Sequence, residues 1–252
     1  MASSAFLAPD QIRARFSAAL SVMYRAEVPA YGTLLDLVAQ VNAQVLQADP
    51  DLRRQLEDSG TLDRVSVERH GAIRLGTAQE LYDMRRIFAV MGMAPVGYYD
   101  LSPAGVPVHS TAFRPVGAQA LSVNPFRVFT SLLRLDLIAD ADLRDTAARI
   151  LSQRQIFTAP ALALTAEAET QGGLTEAQAD RFVAEVLETF RWHAEAKGDS
   201  ATYQRLHDAH RLIADVVSFK GPHINHLTPR VLDIDAAQDL MPAHGIAPKA
   251  VV

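Results

Sequence analysis

The sequence predicts an α+β fold in which helices flank and interrupt one or two βαβββ units. The first observation is a short run rich in β-branched residues, 65–77, which is closed by Gly76-Thr77 before a helical pattern. The second observation is a pair of further strand-like runs, 93–101 and 108–116, joined by a turn. The third is helical periodicity over most of the remaining chain. The order strand, helix, strand, strand therefore organises the rest of the sequence.

The N-terminal segment, residues 1–64, is predicted to be helical. Apolar residues recur at helical spacing over 9–25 and again over 31–47, and Pro29 separates the two helices. Residues 49–64 are charged and are predicted to form a loop or a short helix. This segment leads directly into the first strand.

The first βαβββ-like unit is predicted to cover residues 65–123. Its helix spans 77–91, because Thr77 is a suitable N-cap and Glu80 completes the capping-box pattern three residues later. The two strand-like runs that follow supply the next strands. A last strand is predicted near 121–123.

A large helical insertion is predicted over residues 124–217. Helical patterns in this stretch cover Phe126–Ile138, Asp140–Ser152, Pro160–Thr170, Thr175–His193 and Ser200–Val217. Strand character returns in the final segment, 218–252, with a strand over His226–Ile234 followed by a helix over Ala236–His244. We expect this segment to be the start of a second, incomplete β unit.

The composition excludes several classes of protein. The 252 residues carry a net charge of −5 without a basic block, which argues against nucleic-acid binding. There are no cysteines, so any metal site must use His, Asp or Glu, and a reducing compartment is favoured. No apolar run approaches the roughly 20 residues of a membrane span, and the N-terminus lacks signal-peptide features. We therefore expect a soluble, cytoplasmic protein; its oligomeric state is left open.

Two histidine-bearing stretches form the candidate site. Strand side chains alternate between faces, so His70 and Arg74 share one face of the first strand. A neutral imidazole beside a permanent cation can bind a metal and an anionic substrate together. Far downstream, residues 221–230 offer two more imidazoles, His223 and His226. We hypothesise that these two stretches meet around an Fe(II) ion.

Five motifs give the sequence a family resemblance. They are His70-Gly71-Ala72-Ile73-Arg74, Phe88-Ala89-Val90-Met91-Gly92, Gly97-Tyr98-Tyr99-Asp100-Leu101, His109-Ser110-Thr111-Ala112-Phe113-Arg114-Pro115 and His223-Ile224-Asn225-His226-Leu227-Thr228-Pro229-Arg230. With these motifs the chain resembles the 2-oxoadipate dioxygenase/decarboxylase family over essentially its whole length. That family belongs to the vicinal-oxygen-chelate superfamily, so the resemblance implies a curved mixed sheet built from βαβββ units.

The resemblance also implies a chemistry. Residue by residue, the family's two histidine iron ligands match His70 and His226, and its substrate-binding arginine matches Arg74. The implied reaction is the Fe(II)-dependent, O₂-consuming conversion of 2-oxoadipate to 2-hydroxyglutarate and CO₂, a step of lysine breakdown. The 2-oxo acid and O₂ would occupy the iron positions that the protein leaves open. The family's third ligand is a glutamate in a later strand, which the resemblance does not place within these 252 residues. Either the sequence is a fragment of a longer protein, or a short relative has relocated the carboxylate.

Alternatives to these assignments remain open. His223 competes with His226 as a ligand, although a continuous strand would aim it at the opposite face. Asp233 and Asp235 are alternative candidates for the third, carboxylate ligand, but acidic residues are also common at helix starts. Four polar residues on a predicted strand face the same cavity or a sheet edge: His109, Ser110, Thr111 and Arg114. Histidines on helical patterns are expected to face solvent: His193, His207, His210 and His244.

Two other functions compete with the oxygenase. A metal-dependent isomerase or lyase on the same scaffold would use zinc, nickel or manganese and turn over without O₂. An inactive metal- or ligand-binding fragment would bind metal weakly and show no turnover. The leading hypothesis requires a 2-oxo dicarboxylic acid and O₂ as its small-molecule partners.

Overall fold

The computed structural model describes residues 5–248. These residues form five strands, from short runs rich in β-branched residues, and eleven α-helices, from longer runs with apolar periodicity. The chain divides into two units. The first contains the chain up to Leu20 together with Gly71–His226, and the second contains Ser21–His70 and the chain from Leu227 onward. The combination of helices with one open sheet confirms the predicted α+β class.

The strands belong to a single sheet. They are β1 (His70–Leu75), β2 (Met93–Asp100), β3 (Val108–Pro115), β4 (Arg127–Leu133) and β5 (His226–Thr228). Their order in the sheet is β2-β3-β4-β1-β5. β2 and β3 are antiparallel with an irregularity between Val96 and Tyr99, and β3 and β4 are antiparallel as well. β1 therefore lies between β4 and the edge strand β5.

The described residues also form eleven α-helices. They are α1 (Pro9–Glu27), α2 (Pro29–Ala48), α3 (Pro50–Asp58), α4 (Ala78–Val90), α5 (Ala118–Val123), α6 (Ala141–Ser152), α7 (Ala159–Gln171), α8 (Glu176–Leu187), α9 (Ser200–Ala209), α10 (Arg211–Ser218) and α11 (Ile234–Leu240). None of the helices within residues 5–248 is long and apolar enough to cross a membrane.

Buried aromatic rings form the core of the first unit. Phe16 packs edge-on against Phe190 with ring centroids 5.1 Å apart, and Phe88 lies 4.9 Å from Phe113. All four side chains are buried, and burying a ring of this size contributes about 1.5–3 kcal/mol. Because Phe88 belongs to α4 and Phe113 to β3, this contact packs the helix onto the sheet.

A second apolar cluster in the same unit fixes the position of α10. Leu143 and Leu151 of α6 belong to one buried cluster with Ile213 and Val217 of α10. Each of these side chains is at most 3% exposed. α10 is therefore held along its apolar face, which leaves its polar side chains in defined positions.

The second unit has its own small core. Leu37, Val38 and Val41 of α2 form a buried cluster with Ala237 of α11. Buried Asn42 adds a polar clamp: its side-chain amide donates to the Arg230 carbonyl at 2.9 Å, and it accepts from the Leu232 amide at 2.8 Å. The clamp joins the segment that follows β5 to α2.

Several sequence predictions are confirmed. The helices predicted over 9–25 and 31–47 are α1 and α2, and the strands predicted over 93–101 and 108–116 are β2 and β3. The helix predicted over 77–91 is α4. Its N-cap is Thr77, whose side chain accepts from the Glu80 amide at 3.1 Å. The Glu80 carboxylate accepts instead from the Gly76 amide at 2.7 Å, one residue before the cap.

The helix predicted over Phe126–Ile138 is wrong. Residues Arg127–Leu133 form β4, which pairs with β3 in register from Val108↔Leu133 to Phe113↔Val128. β-branched Val128 and Thr130, both buried on one strand face, favour this pairing. The last strand predicted near 121–123 is wrong as well, because α5 occupies those residues.

Two further elements differ from the prediction. The strand expected over His226–Ile234 ends at Thr228, since Pro229 has no amide hydrogen for the ladder. The single helix expected over Ser200–Val217 is broken at His210, which has extended backbone (φ −172°, ψ 131°) between α9 and α10. The division into four domains, with boundaries after residues 64, 123 and 217, stays a prediction.

Candidate active site

The alternating faces of β1 are confirmed. Along His70–Leu75 the side chains alternate between partly exposed and buried positions, with His70 and Arg74 partly exposed. Ile73 and Leu75 are at most 1% exposed and belong to the core. β1 therefore presents one polar face, as its period-2 pattern predicts.

Gly71 allows the segment before β5 to lie close against β1. A Cβ atom at this position would meet the Ile224 Cδ1 at 2.7 Å, which is shorter than a normal carbon contact. Beside it, the Asn225 amide donates to the Ala72 carbonyl at 2.8 Å. The absence of a side chain at Gly71 thus positions the residues that precede His226.

Replacing Gly71 with alanine is expected to lower the free energy of unfolding by about 1–2 kcal/mol, because the added methyl group overpacks a buried contact. Denaturant titration measures this change. Gly221→Ala is the matched control, since its nearest neighbour would be the Thr189 carbonyl oxygen at an ordinary 3.5 Å. Ile224→Val removes the clashing Cδ1 atom and should restore most of the loss when it is combined with Gly71→Ala. Equal costs at the two glycines would contradict this packing.

Arg74 is held by an ion pair. Its Nη1 donates to the Asp215 Oδ2 at 2.9 Å, and the two side chains are 36% and 25% exposed. The other carboxylate oxygen, Oδ1, lies 3.6 Å from the His223 Nε2. Within residues 5–248, Asp215 is the only side chain that hydrogen-bonds to Arg74. The remaining N–H groups of the guanidinium are therefore available to a ligand.

A cavity of about 740 Å³ opens beside this pair. The polar residues that line it are Arg74, His210, Arg211, Asp215, His223 and Asn225, and the aromatic ones are Trp192, Tyr203 and Phe219. A concave site with apolar walls and a few convergent polar groups is typical of small-molecule binding. With two arginines and one carboxylate in its lining, the cavity suits a small anion.

The imidazoles near Arg74 favour the neutral form. The pKa of His223 is lowered by burial and by the charge of Arg74, although Asp215 acts in the opposite direction. The pKa of His226 is lowered first by partial desolvation and then by the charge of Arg74, and solvent weakens both effects because His226 is an exposed residue. Neutral imidazole is the form that binds metal ions.

His223 lies outside any strand, so the alternation that was expected to aim it away from the site does not apply. It packs on Trp192 instead, with ring centroids 4.6 Å apart and the rings nearly perpendicular. The structure therefore places His223 in the cavity, next to the Asp215 carboxylate that pairs with Arg74. His226, the first residue of β5, is near enough to Arg74 for the arginine's charge to lower its pKa.

Several cavity residues escaped the sequence interpretation, among them Trp192, His210 and Asp215. The expectation that His210 faces solvent from a helix is wrong, since it is the N-cap of α10 and its Nδ1 accepts from the Leu212 amide at 3.0 Å. A histidine between two apolar-periodic runs was the only available signal for this break. Nothing in the local pattern marks Asp215 or Trp192.

Other predicted candidates lie elsewhere. Asp233 caps α11 by accepting from the Ala236 amide at 2.9 Å, and Asp235 lies in the first turn of that helix. The polar residues of β3 bond to neighbouring strands: Tyr98 contacts His109 at 3.3 Å, Ser110 contacts Ser131 at 2.7 Å, and Thr111 donates to the Gly97 carbonyl at 2.8 Å. None of the four polar β3 candidates, Arg114 included, lines the 740 Å³ cavity.

The metal-ligand set is incomplete in the described part of the chain. His70 is the first residue of β1 and His226 the first of β5. Among residues 5–248, no three His, Asp or Glu side chains are grouped so that they could hold a metal ion. These residues alone thus do not form the three-ligand iron centre that the family resemblance implies.

Comparisons with known proteins identify close relatives. The chain is 62% identical over 252 residues to the 2-oxoadipate dioxygenase/decarboxylase of Pseudomonas putida and 61% identical over 243 residues to that of Escherichia coli. These alignments cover 100% and 96% of this chain but 54% of each relative. The chain therefore spans about half the length of the curated relatives it matches.

Solved structures agree with this similarity. The hydroxyglutarate synthase of Pseudomonas putida in complex with 2-oxoadipate superposes with a TM-score of 0.96 at 63% identity, covering 98% of this chain and 55% of that one. A putative glyoxalase superfamily protein from Ralstonia eutropha has a TM-score of 0.59 at 20% identity, which concerns the fold alone. The profile of the 2-oxoadipate dioxygenase/decarboxylase family matches residues 16–252, and the chain belongs to that family.

Proposed function

We propose that this chain carries the 2-oxo acid-binding residues of an Fe(II)-dependent 2-oxoadipate dioxygenase/decarboxylase. The observation that carries the proposal is Arg74, the arginine of the family motif, which lines the 740 Å³ cavity with N–H groups available to a ligand. The 63% identity to a hydroxyglutarate synthase that binds 2-oxoadipate supports the choice of substrate.

In this proposal Arg74 binds the substrate carboxylate that is farther from the 2-oxo group, because the nearer carboxylate and the keto oxygen would bind the iron. A planar guanidinium presents paired N–H donors that match the two oxygens of a carboxylate. The apolar walls formed by Trp192 and Phe219 suit the methylene groups of a 2-oxo dicarboxylic acid. The side chains thereby recognise both the charge and the aliphatic body of the substrate.

His70 and His226 are the two iron ligands that we propose for this chain. The third ligand, a carboxylate, would come from outside residues 5–248, which is consistent with relatives nearly twice as long. Fe(II) held by such a set would supply the activation of O₂. The sheet is then one part of a vicinal-oxygen-chelate-like fold, for which the glyoxalase-superfamily neighbour gives support. A role in lysine breakdown and a cytoplasmic location belong to the same proposal.

One observation favours a second candidate. Because the described residues contain no group of three metal ligands, an inert ligand-binding fragment also fits this chain. Such a fragment would bind 2-oxoadipate without consuming O₂. A metal-dependent isomerase or lyase would turn over anaerobically with zinc, nickel or manganese.

The proposal is tested with this chain extended to the length of its relatives, so that the third ligand is supplied, and incubated with Fe(II) and 2-oxoadipate in air. We expect O₂ uptake together with equal amounts of CO₂ and 2-hydroxyglutarate. Turnover without O₂ would favour the isomerase or lyase, and substrate binding without turnover would favour the fragment. An absence of both binding and turnover would contradict the proposed substrate.

Replacing Arg74 with lysine is expected to raise the KM for 2-oxoadipate by about 10–100-fold, because a charge-assisted, two-point contact becomes a single flexible one. Initial-rate kinetics measure the change. The matched ligand is 2-oxohexanoate, which has the same chain length but lacks the second carboxylate. We expect Arg74→Lys to alter its KM less. An unchanged KM for 2-oxoadipate would exclude Arg74 as the carboxylate contact.

A further inference from the structure

We propose that Asp215 is a positioning residue that orients the Arg74 guanidinium for carboxylate binding. The inference rests on the proposed function and adds to it a residue that no sequence motif marks. Arg74 reaches into the cavity from β1, and Asp215 reaches the same point from α10. The two side chains come from residues 141 positions apart in the chain.

The ion pair restricts the orientations that the guanidinium can adopt. The Arg74 Nη1 is bound to the Asp215 Oδ2 at 2.9 Å, which leaves the Nε and Nη2 edge for a ligand. A free arginine side chain loses rotamer entropy whenever it binds a ligand. An arginine that is already held in place loses less on binding, so its affinity for the ligand is higher.

Asp215 is itself held from two sides. On α10 its neighbours Ala214 and Val216 are buried, and Ile213 and Val217 belong to the cluster shared with α6. On the other side, Oδ1 lies 3.6 Å from the His223 Nε2. The His223 ring is in turn packed against Trp192. The packing of α10 thus fixes the backbone of Asp215, and the His223 ring lies beside its carboxylate.

Orientation and charge act in opposite directions. The negative charge of Asp215 repels an incoming carboxylate, so removing it would strengthen the attraction. The side chains of Arg74 and Asp215 are 36% and 25% exposed, and solvent weakens such charge interactions. We infer that the loss of orientation outweighs the gain in attraction. Two substitutions separate the effects: asparagine keeps an acceptor oxygen without the charge, and alanine removes both.

The experiment measures equilibrium binding of 2-oxoadipate to the full chain. Trp192 is the only tryptophan and lines the same cavity, so its fluorescence reports occupancy, with calorimetry as a second readout. We expect the Kd to rise about tenfold in Asp215→Ala and less than about threefold in Asp215→Asn, the range of a lost or weakened charged hydrogen bond. Arg74→Ala should raise the Kd more than either. For 2-oxohexanoate, the Kd should change little in the Asp215 variants.

The outcomes are distinguishable. If the unsubstituted chain does not bind 2-oxoadipate by either readout, the proposed function fails, and this inference fails with it. If the chain binds and Arg74→Ala weakens binding, but Asp215→Ala binds as tightly as the unsubstituted chain or more tightly, positioning is overturned while the function stands. An Asp215→Asn loss as large as that of Asp215→Ala would also overturn positioning by an acceptor. Thermal unfolding of each variant separates a local effect from a general loss of the fold. We expect Asp215→Ala to weaken binding without a matching fall in Tm, and Asp215→Asn to bind more tightly than Asp215→Ala at a similar Tm.

Discussion

Replacing Arg154 with methionine is expected to lower the free energy of unfolding by about 3–5 kcal/mol, because it leaves the Glu80 carboxylate buried without its partner. Arg154 and Glu80 are 0% and 6% exposed and bind in a two-point contact, Nε to Oε1 at 2.8 Å and Nη2 to Oε2 at 2.7 Å. Glu80 also accepts from the Gly76 amide at the end of β1. The Arg154 Nη1 donates to the carbonyl of Val216 in α10. The Arg154–Glu80 pair thus links α4 and α10 to Gly76, the residue that follows β1, and so connects β1, which holds Arg74, with α10, which holds Asp215.

Denaturant titration with a matched control tests this prediction. Arg205 pairs with Asp140 at 2.8 Å, but both side chains are at least half exposed. Arg205→Ala is therefore expected to cost less than about 1 kcal/mol. Replacing both Arg154 and Glu80 with apolar residues of similar volume should restore part of the lost stability, since no unpaired charge remains. Equal costs for Arg154→Met and Arg205→Ala would contradict the buried network.

Replacing either His70 or His226 with alanine is expected to reduce Fe(II) affinity by at least about 100-fold, since loss of a ligand costs no less than loss of the groups that orient it. O₂ uptake with 2-oxoadipate should fall with it. His226 satisfies one requirement of a ligand, because burial and the charge of Arg74 lower its pKa and favour the neutral imidazole. Anaerobic Fe(II) titration measures the affinity directly.

The control for this prediction is a histidine away from the site. The His207 side chain is 43% exposed on α9, and His207→Ala should leave Fe(II) affinity unchanged. His223→Ala tests the competing ligand: we expect it to weaken 2-oxoadipate binding, through Asp215, and to spare Fe(II) binding. Loss of Fe(II) affinity in His223→Ala but not in His226→Ala would reverse the assignment.

Local signals account for what the sequence predicted correctly. The alternation of His70–Leu75 and the N-cap at Thr77 are short-range patterns, and both are confirmed. β4 was mistaken for a helix because its apolar residues fit both periods, and only the ladder with β3 decides between them. The break at His210 likewise depends on the packing of α10, and its only local signal is a histidine between two apolar-periodic runs.

Only those site residues that carry a local signal can be predicted from the sequence. Arg74 could be assigned from its strand and its motif, whereas its partner Asp215 lies on a helix 141 residues later. The pair forms only when α10 packs on α6 through apolar side chains that have no signature of function. Trp192 reaches the cavity from beyond α8 in the same way. Contacts between distant elements are therefore the part of the site that a single sequence does not predict.

The most direct test of the site is a crystal structure of the chain with Fe(II) and 2-oxoadipate, obtained without O₂. We predict one iron bonded to His70 and His226, and one substrate carboxylate bound to the Arg74 guanidinium with the Asp215 ion pair intact. Iron on His223 in place of His226, or a substrate whose carboxylates both lie away from Arg74, would contradict the account.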